Sequence, residues 1–283
     1  MDQTNFISVI IPTYHRNDLL ALCLDQLSPM IQHIPSDCYE VIVSDDGTKQ
    51  TAQQLIKEKY PWAKWVEGPR KGPAANRNNG AKYAKGNWLL FTDDDCLPEP
   101  NWLNAYYEAI KEHSEIKVFE GKTVCKLGIK SPLETAPINE TGGLLWSCNF
   151  AIKRTIFERL QGFNTSFPFA HMEDVEFRER LKDNNIEFQF SKDAVIDHPP
   201  RAINSGFFLA KYHESEFYYY VVLKKDKVFP FATKLIKNII RFRLESILHN
   251  KFSTLSFIAF YNFCIELPLT FFYLFQWVKK YKF

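Results

Sequence analysis

Three adjacent carboxylates follow an apolar run near the end of the first third of the chain. Residues 88–91 read Trp-Leu-Leu-Phe, and Thr92 then leads into Asp93, Asp94 and Asp95. Like charges packed this closely repel, and at the end of a buried strand they also lose hydration. A divalent cation turns that repulsion into attraction, so a metal site is one interpretation. A solvated acidic turn that ends the strand is the other, and the cluster alone does not separate them.

The elements that must position this cluster are short apolar runs alternating with helical stretches. The pattern predicts strands at 6–11, 39–44, 62–67 and 87–91, with helices at 18–27, 51–59 and 74–85. This order is typical of a parallel sheet covered by helices. Neither a G-x-x-x-x-G-K-[ST] loop nor a G-x-G-x-x-G loop follows a strand, which argues against a P-loop kinase and a Rossmann dehydrogenase.

The carboxyl ends of the predicted strands carry polar and aromatic residues. Pro12, Thr13 and Tyr14 end the first strand, Asp45 and Asp46 end the second, and the acidic cluster follows the fourth. Ligands of open α/β sheets bind beyond the carboxyl ends of the strands. We therefore expect these side chains to meet at one edge of the sheet, around a metal or a polar ligand.

Four segments of this region resemble, in order, the opening of the family 2 glycosyltransferases. They are residues 9–14 (VIIPTY), 41–48 (VIVSDDGT), 72–80 (GPAANRNNG) and 90–95 (LFTDDD). The resemblance covers roughly residues 6–200. It implies the α/β GT-A fold, a mostly parallel central sheet flanked by helices that binds a nucleotide-diphosphate sugar. Residues 161–164 read Gln-Gly-Phe-Asn instead of the usual Gly-Gly-Phe-Asp, and no Q-x-x-R-W follows. The second departure favours the addition of a single sugar over processive synthesis.

The resemblance implies a nucleotide site at the first two strand ends. Pro12, Thr13 and Tyr14 would line the nucleotide, with Tyr14 beside the base. Asp45 would accept a hydrogen bond from a uracil-type imide N–H, which favours a UDP-sugar. Arg77 would offer its fork of donors to the nucleotide, pair with the acidic cluster, or do both.

Within the acidic cluster the resemblance implies unequal roles. Asp93 and Asp95 occupy the D-x-D positions, where Asp95 would bind Mg²⁺ or Mn²⁺ and Asp93 would face the ribose or the metal. Such hard cations prefer carboxylate oxygens and substrate phosphates. Asp94 would lie in the nucleotide site, yet it is the member that we expect to tolerate replacement. His198, after the last predicted strand, would be a third metal ligand or a diphosphate contact, whereas a structural histidine is the alternative.

The acceptor side is expected in the second hundred residues. Residues 144–152 resemble the acceptor-side strand of the family, and Glu173 and Asp174 resemble its E-D motif. Asp174 would be the general base of an inverting transfer, with Glu173 in support, while the metal neutralises the leaving diphosphate. Acidic residues also stabilise the first turn of a helix, so helix capping is the alternative. His171 is a second candidate for the acceptor cleft.

The C-terminal region has a different charge balance from the rest of the chain. Residues 201–283 carry 13 Lys and Arg against 5 Asp and Glu, whereas the whole chain has a net charge of only +2. The apolar residues of 233–248 recur at helical spacing with cations between them, which is typical of an interfacial helix. Residues 252–278 contain no Lys or Arg and are long enough to span a bilayer, but Glu266 and Pro268 interrupt the run. We expect shallow membrane insertion, with a packed helical subdomain as the alternative.

These observations predict a catalytic domain at 1–205, divided near residue 100 into nucleotide and acceptor halves, and a basic aromatic tail at 206–283. The six cysteines are isolated and no signal peptide begins the chain, so we expect a cytoplasmic protein at the inner face of the cell membrane. The expected partners are a nucleotide-sugar donor and a glycan or lipid-linked acceptor, without nucleic acid. A nucleotidyltransferase on a similar sheet and a non-catalytic binding or scaffold protein are the alternative functions.

Overall fold

The structure is a computed structural model, which describes residues 5–249 and 254–283. Residues 1–4, on which the expectation of no signal peptide rests, lie outside these residues. The start of the apolar run in the tail, residues 252–253, also lies outside them.

The chain divides into two compact units. Unit 1 comprises the chain up to Lys126 together with Pro137–Thr165 and Glu173–Pro199, and unit 2 comprises Leu127–Ala136, Ser166–Met172 and Pro200–Phe283. Two short internal segments are therefore grouped with the C-terminal residues. The division at residue 205 into a catalytic domain and a tail stays a prediction about function.

The first half of unit 1 has the alternating order that the sequence predicts. Its elements are β1 (Ile7–Thr13), α1 (Asn17–Gln26), β2 (Tyr39–Asp45), α2 (Gln53–Lys59), β3 (Ala63–Glu67), α3 (Pro73–Lys82) and β4 (Trp88–Phe91). β1 pairs in parallel with β2 and β4, and β2 pairs in parallel with β3. The strands read as continuous apolar runs because both faces are covered, and β1 and β4 are buried at every position.

Further strands extend this sheet in mixed directions, and two short strands pair separately. The next elements in chain order are β5 (Leu97–Pro98), α4 (Trp102–Glu112), β6 (Val118–Val124), β7 (Glu134–Thr135), β8 (Phe150–Lys153), α5 (Arg154–Arg159), α6 (Glu173–Asp183), β9 (Gln189–Asp197) and β10 (Arg201–Ala202). β7 and β10 form an antiparallel two-stranded sheet of their own, in unit 2. The eight-stranded sheet has the order β3-β2-β1-β4-β8-β6-β9-β5, with β8 antiparallel to both of its neighbours and β9 parallel to β6. The sheet is thus mostly parallel, as predicted.

The predicted acceptor-side strand at 144–152 is shorter than the sequence indicates. β8 begins only at Phe150, although Leu144, Leu145 and Trp146 continue the apolar pattern. The buried carboxylate of Glu120 accepts hydrogen bonds from the backbone N–H groups of Gly143 and Leu145. These backbone groups bind a side chain instead of a neighbouring strand, so the segment forms a loop.

Unit 2 is mainly helical. Its helices are α7 (Gly206–Phe217), a π-helical segment (Tyr218–Leu223), α8 (Val228–His249) and α9 (Thr254–Lys280). Their buried apolar side chains form a separate core, which includes Phe217, Leu235, Ile239, Leu274 and Trp277. α9 contains Pro268 and is long and apolar enough to cross a membrane, with a mean hydropathy of 1.5 in its most apolar window. Only 22% of that window is buried, and length and composition alone do not separate a span from a surface helix.

Candidate active site

The strand ends of unit 1 meet as the sequence predicts. Parallel pairing places Thr13, the last residue of β1, in register with Asp45, the last residue of β2. The backbone N–H of Asp46 donates to the carbonyl of Thr13 at 2.9 Å, and the N–H of Thr92 donates to the carbonyl of Ile10 at 3.2 Å. The acidic cluster therefore begins two residues beyond the end of β4, at the same edge of the sheet.

Arg77 links the acidic cluster to the start of α6. Its guanidinium lies 2.5 Å from Asp93 Oδ1 and 3.7 Å from Glu173 Oε1, and its side chain is only 4% exposed. The guanidinium carbon also lies 5.8 Å from the centre of the Phe163 ring. Burial alone would lower the pKa of Arg77, but the carboxylates of Asp93 and Glu173 raise it above its ordinary value. Pairing with the acidic cluster, one of the two roles left open for Arg77, is present in the structure.

Asp94 is the most buried member of the cluster, with no exposed surface. Its Oδ2 accepts a hydrogen bond from the Thr13 hydroxyl at 2.7 Å and one from Arg16 Nε at 3.1 Å, and its Oδ1 forms an ion pair with the same guanidinium. Burial raises the pKa of Asp94 to about 7, against the lowering effects of Arg16 and Thr13. The structure thus argues against our expectation that Asp94 tolerates replacement, because this carboxylate joins two elements inside the site.

Sequence reasoning missed Arg16. This residue precedes α1 and contacts both Asp94 and Asp95, with its Nη1 3.0 Å from Asp95 Oδ2. Its side chain is 40% exposed, whereas Asp94 is fully buried. The signal that could have found it is charge balance, since three clustered carboxylates need nearby cations and Arg16 lies only two residues beyond Tyr14.

The side chain of Asp45 stabilises the backbone turn that follows β2. It is 1% exposed, and its two carboxylate oxygens accept from the N–H of Gly47 at 2.8 Å, the N–H of Ala52 at 2.6 Å and the indole of Trp65 at 3.0 Å. A carboxylate offers about four acceptor positions, so three are engaged within the protein. Its predicted contact with the base stays a prediction.

The other predicted nucleotide residues differ in exposure. Pro12 and Thr13 are buried in β1, whereas Tyr14 is 58% exposed. The ring of Tyr14 packs edge-on against His15, with 4.3 Å between the ring centres. His15 has a left-handed backbone, with φ of 53°, and its Nε2 accepts from the N–H of Thr48 at 3.2 Å. Tyr14 therefore presents an open aromatic ring beside the strand ends.

Asp95 and His198 offer a donor set that fits Mg²⁺ or Mn²⁺. Asp95 Oδ1 lies 3.4 Å from His198 Nε2, and both side chains are buried. His198 Nδ1 lies 2.9 Å from the carbonyl of Pro199, which only accepts, so Nδ1 is the donor of this contact. Nε2, the ring nitrogen beside Asp95, is therefore the atom that could bind an ion. One carboxylate and one imidazole leave the remaining positions to water and phosphate, as such cations require. These residues therefore fit the predicted ion.

The third group near this pair is the thiol of Cys96. The potential ligand atoms of Asp95, Cys96 and His198 all lie within 4.8 Å of one another. Burial raises the pKa of Cys96 well above its ordinary value, so the sulfur keeps its proton and is a poor ligand for a hard cation. Asp93 does not belong to this group, and its predicted role as a metal ligand stays a prediction.

The E-D pair lies at the beginning of α6, where the backbone N–H groups favour negative charge. Asp174 Oδ1 accepts from the N–H of Val175 at 2.8 Å, and Glu173 is 7% exposed and faces Arg77. Helix capping and a role in chemistry are thus compatible for Asp174, which is half-buried. Met172, just before the pair, has a left-handed backbone with φ of 78°.

Buried polar residues outside the predicted set hold the acceptor half together. Glu120 accepts from the Asn139 side chain at 3.0 Å as well as from the loop described above. Asn149 Oδ1 accepts from the Trp102 indole and the Tyr106 hydroxyl, both at 2.9 Å. A single sequence offers no period or motif that marks such supporting residues.

His171, the second acceptor candidate, lies in unit 2, where its Nε2 is 3.4 Å from Glu216.

Comparisons with known proteins all identify glycosyltransferases. The family model described as glycosyl transferase family 2 matches residues 8–160. Glycosyltransferase AglE of Haloferax volcanii is 36% identical over 215 residues, which are 69% of this chain and 67% of that protein. An uncharacterized glycosyltransferase of Haemophilus influenzae is 27% identical over 62% of this chain and 61% of its own. A poly(ribitol-phosphate) beta-glucosyltransferase of Bacillus spizizenii is 33% identical over 46% of this chain, but the match spans only 22% of that relative.

Solved structures share the fold. The mannosyltransferase PcManGT of Pyrobaculum calidifontis, in complex with GDP-Man and Mn²⁺, aligns with a TM-score of 0.57 at 19% identity, covering 100% of this chain and 89% of its own. TarS of Staphylococcus aureus, residues 1–349 with UDP, aligns with a TM-score of 0.55 at 19% identity, over 94% of this chain and 89% of its own. The predicted GT-A fold is thus confirmed. Because the family model matches more than half of the chain and a relative is 36% identical over 69% of it, this chain belongs to glycosyl transferase family 2.

Proposed function

We propose that this protein transfers a single sugar from a nucleotide-diphosphate sugar to a hydroxyl of a glycan or lipid-linked acceptor, with inversion, in the synthesis of a cell-surface polysaccharide. The observation that carries the proposal is the pairing of Arg77 with both Asp93 and Glu173. Through this pairing, the D-x-D segment at a strand end and the E-D pair at a helix start share one guanidinium. Donor and acceptor groups in one site are what a transferase needs.

Each residue then has a definite task. Asp174 accepts the proton of the acceptor hydroxyl as general base, while Glu173, held by Arg77, fixes the start of the helix that carries it. Asp95 and His198 would hold Mg²⁺ or Mn²⁺, which when bound neutralises the diphosphate leaving group. One carboxylate base without a protein nucleophile is consistent with inversion by direct displacement. Asp93, which pairs with Arg77, would face the ribose or the metal.

A UDP-sugar is our preferred donor. Asp45 has about one acceptor position left after its three internal hydrogen bonds, enough for the single imide N–H of uracil. Tyr14 offers an exposed ring for the base. TarS has been solved with UDP and with UDP-GlcNAc, whereas PcManGT has been solved with GDP-Man, so the choice of base needs a direct test.

Unit 2 would place the enzyme at the cytoplasmic face of the membrane. α8 alternates apolar residues with Lys234, Lys237, Arg241 and Arg243, and α9 is largely apolar and exposed. A relative of Escherichia coli, 24% identical over 74% of this chain, is named for action on a diphosphoundecaprenol-linked acceptor. We accordingly propose peripheral attachment through residues 206–283, with catalysis in residues 1–205.

The test is release of nucleoside diphosphate from a panel of UDP-, GDP- and dTDP-sugars in the presence of Mn²⁺ or Mg²⁺ and a mixture of polyprenyl-linked acceptors. We expect Asp95→Asn and Asp174→Asn each to lower transfer by about a hundredfold or more, which is the usual scale for a catalytic base. Asp37→Asn, at an exposed loop position, is the matched control. Full activity in both active-site variants would refute the mechanism. Release of pyrophosphate from a parallel mixture of nucleoside triphosphates and sugar 1-phosphates would indicate a nucleotidyltransferase.

A further inference from the structure

A large apolar groove lies between α8 and α9 within unit 2. Its volume is about 750 Å³. The apolar part of its lining consists of Phe229, Ala232, Ile236, Ile240, Phe271 and Leu274. Cavities of roughly 300–1,000 Å³ with mostly apolar walls are typical of sites for small organic ligands. The groove is therefore large enough to hold a hydrocarbon chain.

Two cationic side chains of α8 line one side of this groove, which is called its wall below. Lys237 and Arg241 both line it, and their spacing of four residues places them one above the other on the same face of α8. Arg241 contacts Glu245 at 2.9 Å, but both of these side chains are largely exposed, so this pair opens at little cost. Among residues 5–249 and 254–283, no carboxylate forms an ion pair with Lys237. An anionic group would complement this wall.

The groove also has exposed aromatic rims. Phe229 is 82% exposed and Phe271 is 56% exposed, although both line an apolar surface. Large exposed rings next to Lys and Arg are typical of a surface that meets lipid. A second copy that docked with this wall at the two-fold axis would bring Lys237 and Arg241 toward the same residues of that copy, where their like charges would repel.

We propose that this groove binds an anionic phospholipid, with one hydrocarbon chain between α8 and α9 and the phosphate on Lys237 and Arg241. The guanidinium of Arg241 offers paired donors to phosphate oxygens, and Lys237 adds a point charge. This inference rests on the proposed attachment to the membrane and adds a defined lipid site to it. Because Lys237 and Arg241 are both cations, they would repel the choline cation of a zwitterionic lipid, so the site should favour a headgroup with net negative charge. Simple partition of apolar helices into a bilayer gives no such preference.

The experiment uses the full chain on vesicles that contain photoactivatable phosphatidylglycerol or, in parallel, photoactivatable phosphatidylcholine. After irradiation, mass spectrometry locates the labelled peptides. We expect phosphatidylglycerol to label peptides of α8 and α9 at the groove, at least fivefold more than phosphatidylcholine does. The double variant Lys237→Gln/Arg241→Gln should remove most of this preference. Lys225→Gln/Lys227→Gln, two exposed lysines that do not line the groove, removes the same charge and should change labelling less than twofold.

A second variant tests the cavity itself. Ala232→Trp fills the groove without changing the charge, and it should abolish groove labelling while circular dichroism remains that of the wild type. Equal labelling by the two lipids, unchanged labelling in both groove variants, or cross-links between two copies through this surface would each overturn the lipid site. Vesicle flotation of the same samples separates the two proposals. Protein that floats without groove labelling refutes the lipid site alone, whereas protein that does not float refutes the membrane attachment as well.

Discussion

Removal of the Arg77 guanidinium is the sharpest perturbation of the proposed site. Arg77→Met keeps an unbranched side chain of similar length, so the main loss is the charge. Two carboxylates then lose their common partner, Asp93 at 2.5 Å and Glu173 at 3.7 Å, with side chains only 16% and 9% exposed. The substitution therefore leaves both carboxylates without the cation that lies beside them.

The expected magnitude follows from this burial. Loss of one partner of a fully buried ion pair typically costs about 3–5 kcal/mol, because the remaining charge has little solvent. Asp93 keeps some contact with water and the Glu173 contact is long, so we expect a loss of about 3 kcal/mol in the free energy of unfolding. Urea unfolding followed by tryptophan fluorescence is suited to this measurement, since five of the six tryptophans lie in unit 1.

A double-mutant cycle separates the charge effect from lost packing on Phe163. Asp93→Asn in the Arg77→Met background removes one of the uncompensated carboxylates, so it should restore about 1 kcal/mol or more of stability. In the wild-type background the same Asp93 substitution should destabilise. If Arg77→Met unfolds within about 1 kcal/mol of the wild type, or if the two losses simply add, the guanidinium does not bridge these carboxylates in solution.

Three further outcomes follow from the same contacts. His198→Gln should raise the Mn²⁺ concentration for half-maximal sugar transfer by about tenfold or more, measured by metal titration, whereas unchanged metal dependence would remove it from the ion site. Asp94→Asn should lower the free energy of unfolding by about 1–2 kcal/mol in urea titrations, a value reduced because its partner Arg16 is 40% exposed. In unit 2, burial alone would lower the pKa of His213, but its contacts with Glu216 and Glu266 raise that pKa to about 9 from 6.5. Burial alone would raise the pKa of Glu216, but its contacts with His171 and His213 lower that pKa to about 2 from 4.5. Protection of α7 from hydrogen exchange should therefore be greatest between about pH 4.5 and 6.5, and should fall both toward pH 9 and toward pH 2.

The parallel half of the sheet was predictable because its signal is local. Each strand from β1 to β4 is a short apolar run bounded by turn residues, and parallel pairing brings their carboxyl ends to one edge. The pairing of Arg77 with Asp93 was among the predicted alternatives for the same reason, since the two lie only 16 residues apart at the ends of neighbouring elements. Such short-range patterns can be recognised in a single sequence.

The contacts that sequence reasoning missed depend on long-range geometry. Arg16 contacts residues 78 and 79 positions away, and it does so just after the left-handed turn at His15. The apolar residues at 144–146 predicted a strand, but the buried carboxylate of Glu120 holds this segment in a loop. Glu120 lies more than 20 residues earlier in the sequence, so the local pattern could not reveal this contact. A hydrophobic period carries no information about such a partner.

Charge balance explains why three consecutive aspartates persist where the D-x-D motif needs only two. The four carboxylates of Glu173 and the Asp93–Asp95 run contact two guanidinium groups, Arg16 and Arg77, which leaves a formal excess of two negative charges when all are ionised. A single divalent cation at Asp95 and His198 would neutralise that excess. Burial raises the pKa of Asp94 to about 7, so Asp94 is the carboxylate of this group whose negative charge is least stabilised. The middle aspartate therefore holds Arg16 beside Asp95, and the outer two are the ones that we propose to face ligands.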